Sequence, residues 1–417
     1  MKRQWVGIGG TLGLMVLVQG LAWGQQPAPP AGRVEDRLKA VEEAVKSPAL
    51  SFLKEVTFSG YVQTTYNFNF EDPPSRTNKL RIFDEDGNQF TLNNIELAIS
   101  RQPTEKIPVG FGVVMNAGRD TRKTKAAGLG GGGTPLDDNP FDLQQAYVTY
   151  VAPVGKGLTL KAGKFATLLG AEVIETPANF NVSRSFLFGF AIPFTHVGVL
   201  ATYPFTDQVS ATLGVVNGWD NVRDNNRGKA ATGQLSLAPV EGFTLLVNGI
   251  WGAEQASLES PTRWVVDVVA TYTPPSLKAL TLQANYDYGE EDRAVDTGTG
   301  VRRDAVWQGI SLIGNYDLTE KLSFALRGEY FIDQDGARTA FAGTATPSGL
   351  PLQSRLNVYE VTATAKYKLW QGLFTRLEYR HDQSVSAGGA KLVFDGDAGA
   401  STRKRQDTIA IELVYMF

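Results

Sequence analysis

The chain contains no cysteine. That excludes disulfide staples, thiolate nucleophiles, cysteine-ligated zinc and a lipid-modified cysteine anchor. Net charge is almost absent, with a formal value of −3 over 417 residues, and no basic helix or clustered basic patch stands out, so nothing in the chain invites nucleic acid. Histidine is scarce: His196 and His381 are the whole supply. After residue 24 no apolar run reaches the roughly 18 to 20 residues that a membrane-crossing helix needs. If such a chain resides in a membrane, it must cross with strands.

What is present begins with a leader. Lys2 and Arg3 precede an apolar, Gly-rich stretch from Val6 to Val18, and Ala22-Trp23-Gly24 places small residues where a signal peptidase reads them. Cleavage after Gly24 is the expectation, with a retained membrane anchor as the alternative. A Gln/Pro/Ala-rich linker from Gln25 to Ala31 follows, where a stop-transfer segment would be charged. Then RVEDRLKAVEEAVKS, Arg33 to Ser47, spaces Val34, Leu38, Val41 and Val45 like heptad a and d positions, with Pro48 as a stop. About two heptads are marginal alone in water, so this short helix either assembles with copies of itself as a periplasmic stalk or caps the body of the protein.

From Val56 onward the chain is a series of alternating segments. Sixteen are expected, at about 56–70, 90–101, 107–116, 141–152, 158–165, 195–203, 208–219, 229–238, 243–251, 263–272, 280–288, 304–316, 322–331, 356–367, 373–381 and 406–417. Most are close to the length a tilted strand needs to cross a bilayer. Even-numbered strands end in short turns such as PTEKI, PVGKG, PVEG and DLTEK, whereas odd-numbered strands run into long connections such as 71–89, 117–140, 166–194 and 332–355. Short turns on one side and long loops on the other mark a membrane barrel, and an even count leaves both ends of the barrel on the short-turn side.

The two faces of the strands differ. One carries Val209, Leu213, Val247, Val266, Val268, Leu282, Phe324 and Leu326 with no charge, and the other carries Arg263, Asp267, Asp287, Arg327, Glu329, Glu360, Arg376, Glu378, Arg380 and Glu412. A charge facing lipid near the midplane costs about 2 to 4 kcal/mol, so this partition reads as lipid outside and water inside. A soluble β-sandwich also alternates. Aromatics decide against it: Tyr203, Tyr272, Tyr316, Tyr367, Trp370 and Phe417 fall near the short-turn ends, and Trp219, Trp251, Trp264, Tyr288, Tyr330 and Tyr379 near the long-loop ends, forming two interfacial belts. The fold class is therefore all-β, a transmembrane antiparallel barrel of about sixteen strands over 56–417, after a leader (1–24) and a linker with a short helix (25–55). The terminal IAIELVYMF is expected to pair with the first strand, because an open edge in hydrocarbon leaves backbone groups unsatisfied.

FSGYVQTTYNFNF at the first strand, GKFATLLGAEVIETPANFNVSRSFLFGFAIPFTHVG (Gly163 to Gly198) and the terminal strand ending in Phe417 resemble Gram-negative outer-membrane porins, nearest the β-barrel porin-2, or OmpL-like, family. The resemblance covers essentially all of the barrel. It implies residence in the outer-membrane lipid of a Gram-negative bacterium and passive ion or solute transport, and it implies that Phe417 is read by the barrel-assembly machinery. The N-terminal heptads are also similar to those of phosphate-selective porins with a coiled N-terminal segment.

A barrel of this size holds an aqueous channel. Its expected constriction is the connection Ala166 to Phe194, which carries Glu172, Glu175 and Arg184 among Leu168, Leu169, Phe180, Phe186 and Phe188. A flexible outer loop has no use for so many apolar side chains, so an inward fold is expected, with an ordered external cap as the alternative. Glu172 and Glu175 are then expected to face Arg327, Arg376 and Arg380 across a narrow waist. Glu329, Glu378 and Glu360 interrupt that basic ladder, so strong anion selectivity does not follow.

Other chemistry is weakly signalled. The two histidines with Ser183 and Ser185 allow a hydrolase only in principle, because no local motif marks a nucleophile. GLGGGG (Gly128 to Gly133) lacks the Lys-Ser/Thr of a phosphate loop, and DEDGN (Asp84 to Asn88) lacks the spacing and final Glu of an EF-hand, so no metal or cofactor is expected. Two functions remain: a porin passing small polar or ionic solutes down their gradients, and a blocked barrel whose loops bind a partner. The heptads permit a trimer without establishing one. The mass of the exported chain tests the leader: it should correspond to a protein beginning at Gln25, and a full-length mass would show a retained anchor.

Overall fold

The computed structural model describes residues 39, 54–129, 139–296, 302–340, 355–385 and 392–417. The expected leader and, save for Lys39, the heptad helix lie outside these residues, as do Gly130 to Gly133 of the glycine-rich loop. Val56–Phe417 form one compact unit.

Its strands are β1 (Thr57–Asn69), β2 (Gln89–Arg101), β3 (Val109–Ala117), β4 (Phe141–Ala152), β5 (Leu158–Ala166), β6 (Thr195–Pro204), β7 (Val209–Val216), β8 (Ala230–Leu237) and β9 (Phe243–Ala253). They continue as β10 (Thr262–Tyr272), β11 (Leu280–Asp296), β12 (Arg302–Asp317), β13 (Leu322–Asp333), β14 (Leu356–Trp370), β15 (Leu373–Val385), β16 (Phe394–Gly396), β17 (Gly399–Arg403) and β18 (Arg405–Met416). All except β16 and β17 close into one antiparallel barrel of sixteen strands, each paired with its sequence neighbours, and β18 returns to β1. The remaining pair is a small hairpin in the last long connection.

The lipid face accounts for the register. Val247, Val268 and Tyr286 stand opposite one another across β9, β10 and β11, and between them Asn248, Asp267 and Asp287 form the inward row. A one-residue slip would turn the whole inward row toward hydrocarbon. Exposed Tyr272, Tyr316, Tyr367, Trp370 and Phe417 sit at the short-turn rim, and exposed Phe90, Phe141, Trp251, Tyr330 and Tyr379 at the long-loop rim. Trp219 is a correction to the expected belt. β7 ends at Val216, and the indole lies beyond it, packed on the buried cluster inside the barrel rather than facing lipid. β11 and β12 also run further than the alternation indicated, past a bulge between Glu291 and Val295, because their outer ends continue as a hairpin beyond the apolar band.

The closing seam is tight. Phe417 N–H donates to the Gly60 carbonyl at 3.0 Å, and Gly60 N–H donates to the Phe417 carbonyl at 3.0 Å. A side chain at Gly60 would meet the Glu96 carbonyl at 2.1 Å and the Phe417 ring at 2.8 Å, whereas one at Gly328 would meet nothing within 4 Å. Gly60→Val should therefore lower the fraction of refolded protein that migrates as a compact barrel on an unheated gel by more than half, while Gly328→Ala leaves it unchanged. Equal behaviour of the two variants would contradict this seam.

Candidate functional site

Regular pairing stops between β5 and β6, and the intervening segment 167–194 lies against the inner wall of the barrel. Its apolar side chains, including Leu169, Ile174, Phe186, Leu187, Phe188, Phe190 and Ile192, are buried. Its backbone has no strand partner, and buried N–H and C=O groups must be satisfied somehow. Wall carboxylates take the N–H groups: Glu378 accepts from Val182 at 2.6 Å and Ser183 at 2.9 Å, and Glu329 from Phe186 and Leu187 at 2.6 Å each. Asp267 accepts from Gly170 at 3.1 Å, and one side-chain amide, Asn285, accepts from Ala171 at 3.2 Å.

Wall donors take the carbonyls. Arg376 donates to Asn179 and Asn181 at 2.8 Å each, Arg327 to Ser183 at 2.7 Å, Arg380 to Arg184 at 2.5 Å, and the Trp307 indole to Ala191 at 3.1 Å. Hydrogen bonds with one charged member contribute about 1.5 to 3 kcal/mol each, so this set fixes the segment firmly. Acids on amides and arginines on carbonyls together stand in for a neighbouring strand.

The residues singled out from the sequence take distinct places. Glu172 meets Arg327 at 2.7 Å and also accepts from Ser185 N–H at 2.7 Å. Glu175 does not face the arginines: it accepts from Gln144 at 2.7 Å and Gln145 at 3.4 Å, because its side chain turns toward β4. Arg184 folds back onto its own segment, donating to the carbonyls of Val173, Ile174 and Val182 at 2.9 to 3.0 Å. The basic ladder is neutralised rather than free. Arg327 pairs with Glu360 at 2.6 Å, Arg376 with Glu412 at 2.5 Å and Arg380 with Asp382 at 2.8 Å.

The connection expected as one of the long loops, 71–89, also folds inward. In 70–88, Leu80, Arg81, Ile82 and Phe83 are buried. Arg81 bridges Asp84 and Asp382, reaching the latter at 2.5 Å, and Phe83 packs on Phe188 with ring centroids 5.9 Å apart. The available signal was the run Leu80-Arg81-Ile82-Phe83, apolar around one cation, which no solvated loop requires. The acids of DEDGN are each held by a basic side chain: Asp84 by Arg81, Asp86 by Arg119 and Glu85 by Lys123.

The two segments share one apolar cluster with the wall residues Trp307, Phe331, Leu356 and Val358. At its long-loop side Arg338 lies over Trp219 at 4.6 Å and over Trp307 at 5.1 Å, and donates to the Phe190 carbonyl at 2.7 Å. In the neighbouring loops burial pushes the Asp220 carboxyl up to about 6 and that of Glu254 up to about 7. Asp220 accepts from Phe194 and Thr195 N–H at 2.8 Å each, tying down the end of the inward segment. The histidines assemble no triad. His196 contacts the Gly218 carbonyl and Thr167, and His381 contacts Asp407, while Ser183 and Ser185 are engaged by Arg327 and by Phe188 N–H.

Comparison with known proteins agrees with this architecture. No curated protein matches the sequence. Among solved structures, the outer membrane channel DcaP of Acinetobacter baumannii superposes with a TM-score of 0.56 at 14% identity, covering 87% of this chain and 97% of that one. An anion-selective porin from Comamonas acidovorans gives 0.57 at 11% identity, covering 87% and 99%. Pseudomonas putida OprB gives 0.57 at 11%, covering 90% and 97%. At these identities the likeness establishes the fold alone. The family described as "Putative beta-barrel porin-2, OmpL-like" matches residues 55–417, the whole barrel. The chain therefore belongs to this family of porins of the Gram-negative outer membrane.

Proposed function

We propose that the barrel is a water-filled channel for passive diffusion of small polar or ionic solutes, narrowed at its waist by segment 167–194 and further by segment 70–88. The observation that carries this reading is the double set of wall anchors, carboxylates on N–H groups and arginines on carbonyls, which holds the first segment against the lumen wall. Elsewhere the inner face includes a polar patch of Thr202, Thr212, Gln234, Thr244 and Gln283, most of them only partly buried, as suits passage of hydrated solutes. The chain is read as non-enzymatic, with Phe417 serving barrel assembly and with trimers, a form recorded for OmpT of Vibrio cholerae, as the proposed assembly.

The apolar cluster shared by both segments and the wall favours one rival: a lumen that is sealed until a segment moves. Single-channel recording of the mature protein in a planar bilayer under a salt gradient separates the two. Stepwise current in the unaltered protein is expected for the diffusion channel. Replacing Glu329 and Glu378 together by Gln weakens four amide anchors and should raise conductance severalfold; unchanged conductance would remove the segment from the waist. Silence that gives way to current only in the double variant would support the sealed barrel.

Charge substitutions at the segment are graded by their partners. Glu172→Gln leaves Arg327 with Glu360 alone and should shift the reversal potential toward anions. Glu175→Gln changes a contact with glutamines and should shift it less. The opposite order would contradict these placements.

A further inference from the structure

Across β9 to β12 one row of inward residues stands in direct register: Asn248 opposite Asp267, Asp267 opposite Asp287, and Asp287 opposite Gly309. Side chains paired in this way have Cβ atoms about 4.5 to 5.5 Å apart. Both aspartates are fully buried. Four other buried acids of the wall have a base: Glu412 has Arg376, Glu360 has Arg327, Asp382 has Arg81 and Arg380, and Asp142 has Lys164. The charged groups facing Asp287 are Asp267 and Glu329, both acidic, and Glu329 is already engaged with the amides of Phe186 and Leu187.

The two aspartates differ in their partners. Asp267 accepts from Gly170 N–H, Asn248 and Asn285. Asp287 has no N–H or hydroxyl donor among the described residues: both of its carboxylate oxygens are buried without one, and the side chain within hydrogen-bonding reach is the Asp267 carboxyl. On the flanking strands β9 and β12, Asn248 Oδ1 and Ser311 Oγ are likewise without a partner. These residues are only 3% and 2% exposed. Asn248 is held on Asp267 through its amide nitrogen. Ser311 lies one inward position from Gly309 and opposite Asn285 and Glu329.

Adjacent buried carboxylates cannot both ionise without compensation. An all-oxygen donor set rich in carboxylate suits a hard cation, and irregular donors drawn from several strands suit Ca²⁺, which accepts six to eight oxygens at about 2.3 to 2.6 Å, better than Mg²⁺, which demands a near-octahedral shell. We infer that Asp267 and Asp287, with Asn248 Oδ1 and Ser311 Oγ, form a calcium site in the inner wall. It would cross-link β9 to β12 where Asp267 and Asn285 hold the start of the inward segment. The inference does not depend on whether solute passes.

The site is distinct from Glu290, Asp292 and Asp304, whose ligand atoms lie within 4.8 Å of one another near the long-loop ends of β11 and β12. There Asp292 already accepts from Thr262 and Asp304 from Arg293 N–H. That trio serves as the control.

The test is calorimetric titration of CaCl₂ into the mature, detergent-folded barrel after stripping with EGTA, alongside the temperature at which the compact form is lost on unheated gels. One site is expected in the unaltered protein, weakened at least tenfold by Asp287→Asn and about threefold by Ser311→Ala, and unaffected by Asp304→Asn. Calcium should raise the melting temperature of the unaltered barrel and not that of Asp287→Asn. Absence of binding in the unaltered protein, a measurement that needs no variant to fold, would overturn the inference and leave a shared proton to reconcile the pair. Loss of binding in Asp304→Asn with retention in Asp287→Asn would also overturn it.

Discussion

The described barrel is organised by one constraint: a backbone N–H or C=O placed where water cannot reach it must find a partner. On the outside, hydrocarbon removes water, and the chain closes β18 on β1 so that the barrel has no open edge. On the inside, segment 167–194 is pressed against the wall, and its backbone is satisfied by carboxylates and guanidinium groups instead of a strand. The first solution is repetitive and the second is made residue by residue.

That contrast explains what the sequence disclosed. Strand positions were legible because lipid forbids charge on alternate residues, so Leu322–Asp333 reads directly as Leu, Phe and Leu outward against Arg327 and Glu329 inward. The inward fold of 167–194 was legible from its excess of Phe and Leu. Partners across the lumen were not. Glu172 and Arg327 lie 155 positions apart, and alternation says that both face inward without saying that they meet. Glu175 was grouped with Glu172 for the same reason, although one turns to an arginine and the other to glutamines. The second inward segment carries a weaker signal, three apolar residues around Arg81 in a polar, turn-rich stretch. Trp219 was placed in the lipid belt from its distance along β7, and that strand ends before reaching it.

The arginines and acids on the wall look like a selectivity filter when counted, yet most are committed to one another or to the segment's backbone. Arg376 holds Glu412 and two carbonyls together, and Arg327 serves Glu360, Glu172 and Ser183. Removing one member of such a buried set strands the others, at about 3 to 5 kcal/mol for a broken buried pair. In the proposed channel, ion preference would then rest more on partly buried charges of the inner face, such as Lys161 and Lys366, than on the ladder itself.

The central claim is that segment 167–194 is fastened to the inner wall, and the cysteine-free background makes it directly testable. Asn181 donates to Thr364 on β14 at 2.7 Å, both buried. In an Asn181→Cys, Thr364→Cys double variant, mild oxidation of the folded barrel should link the two positions and produce a looped species on a non-reducing gel. The introduced thiols should also resist a bulky, membrane-impermeant reagent before oxidation. Failure to link, with rapid labelling at position 181 from the external side, would show an outer cap and contradict the account.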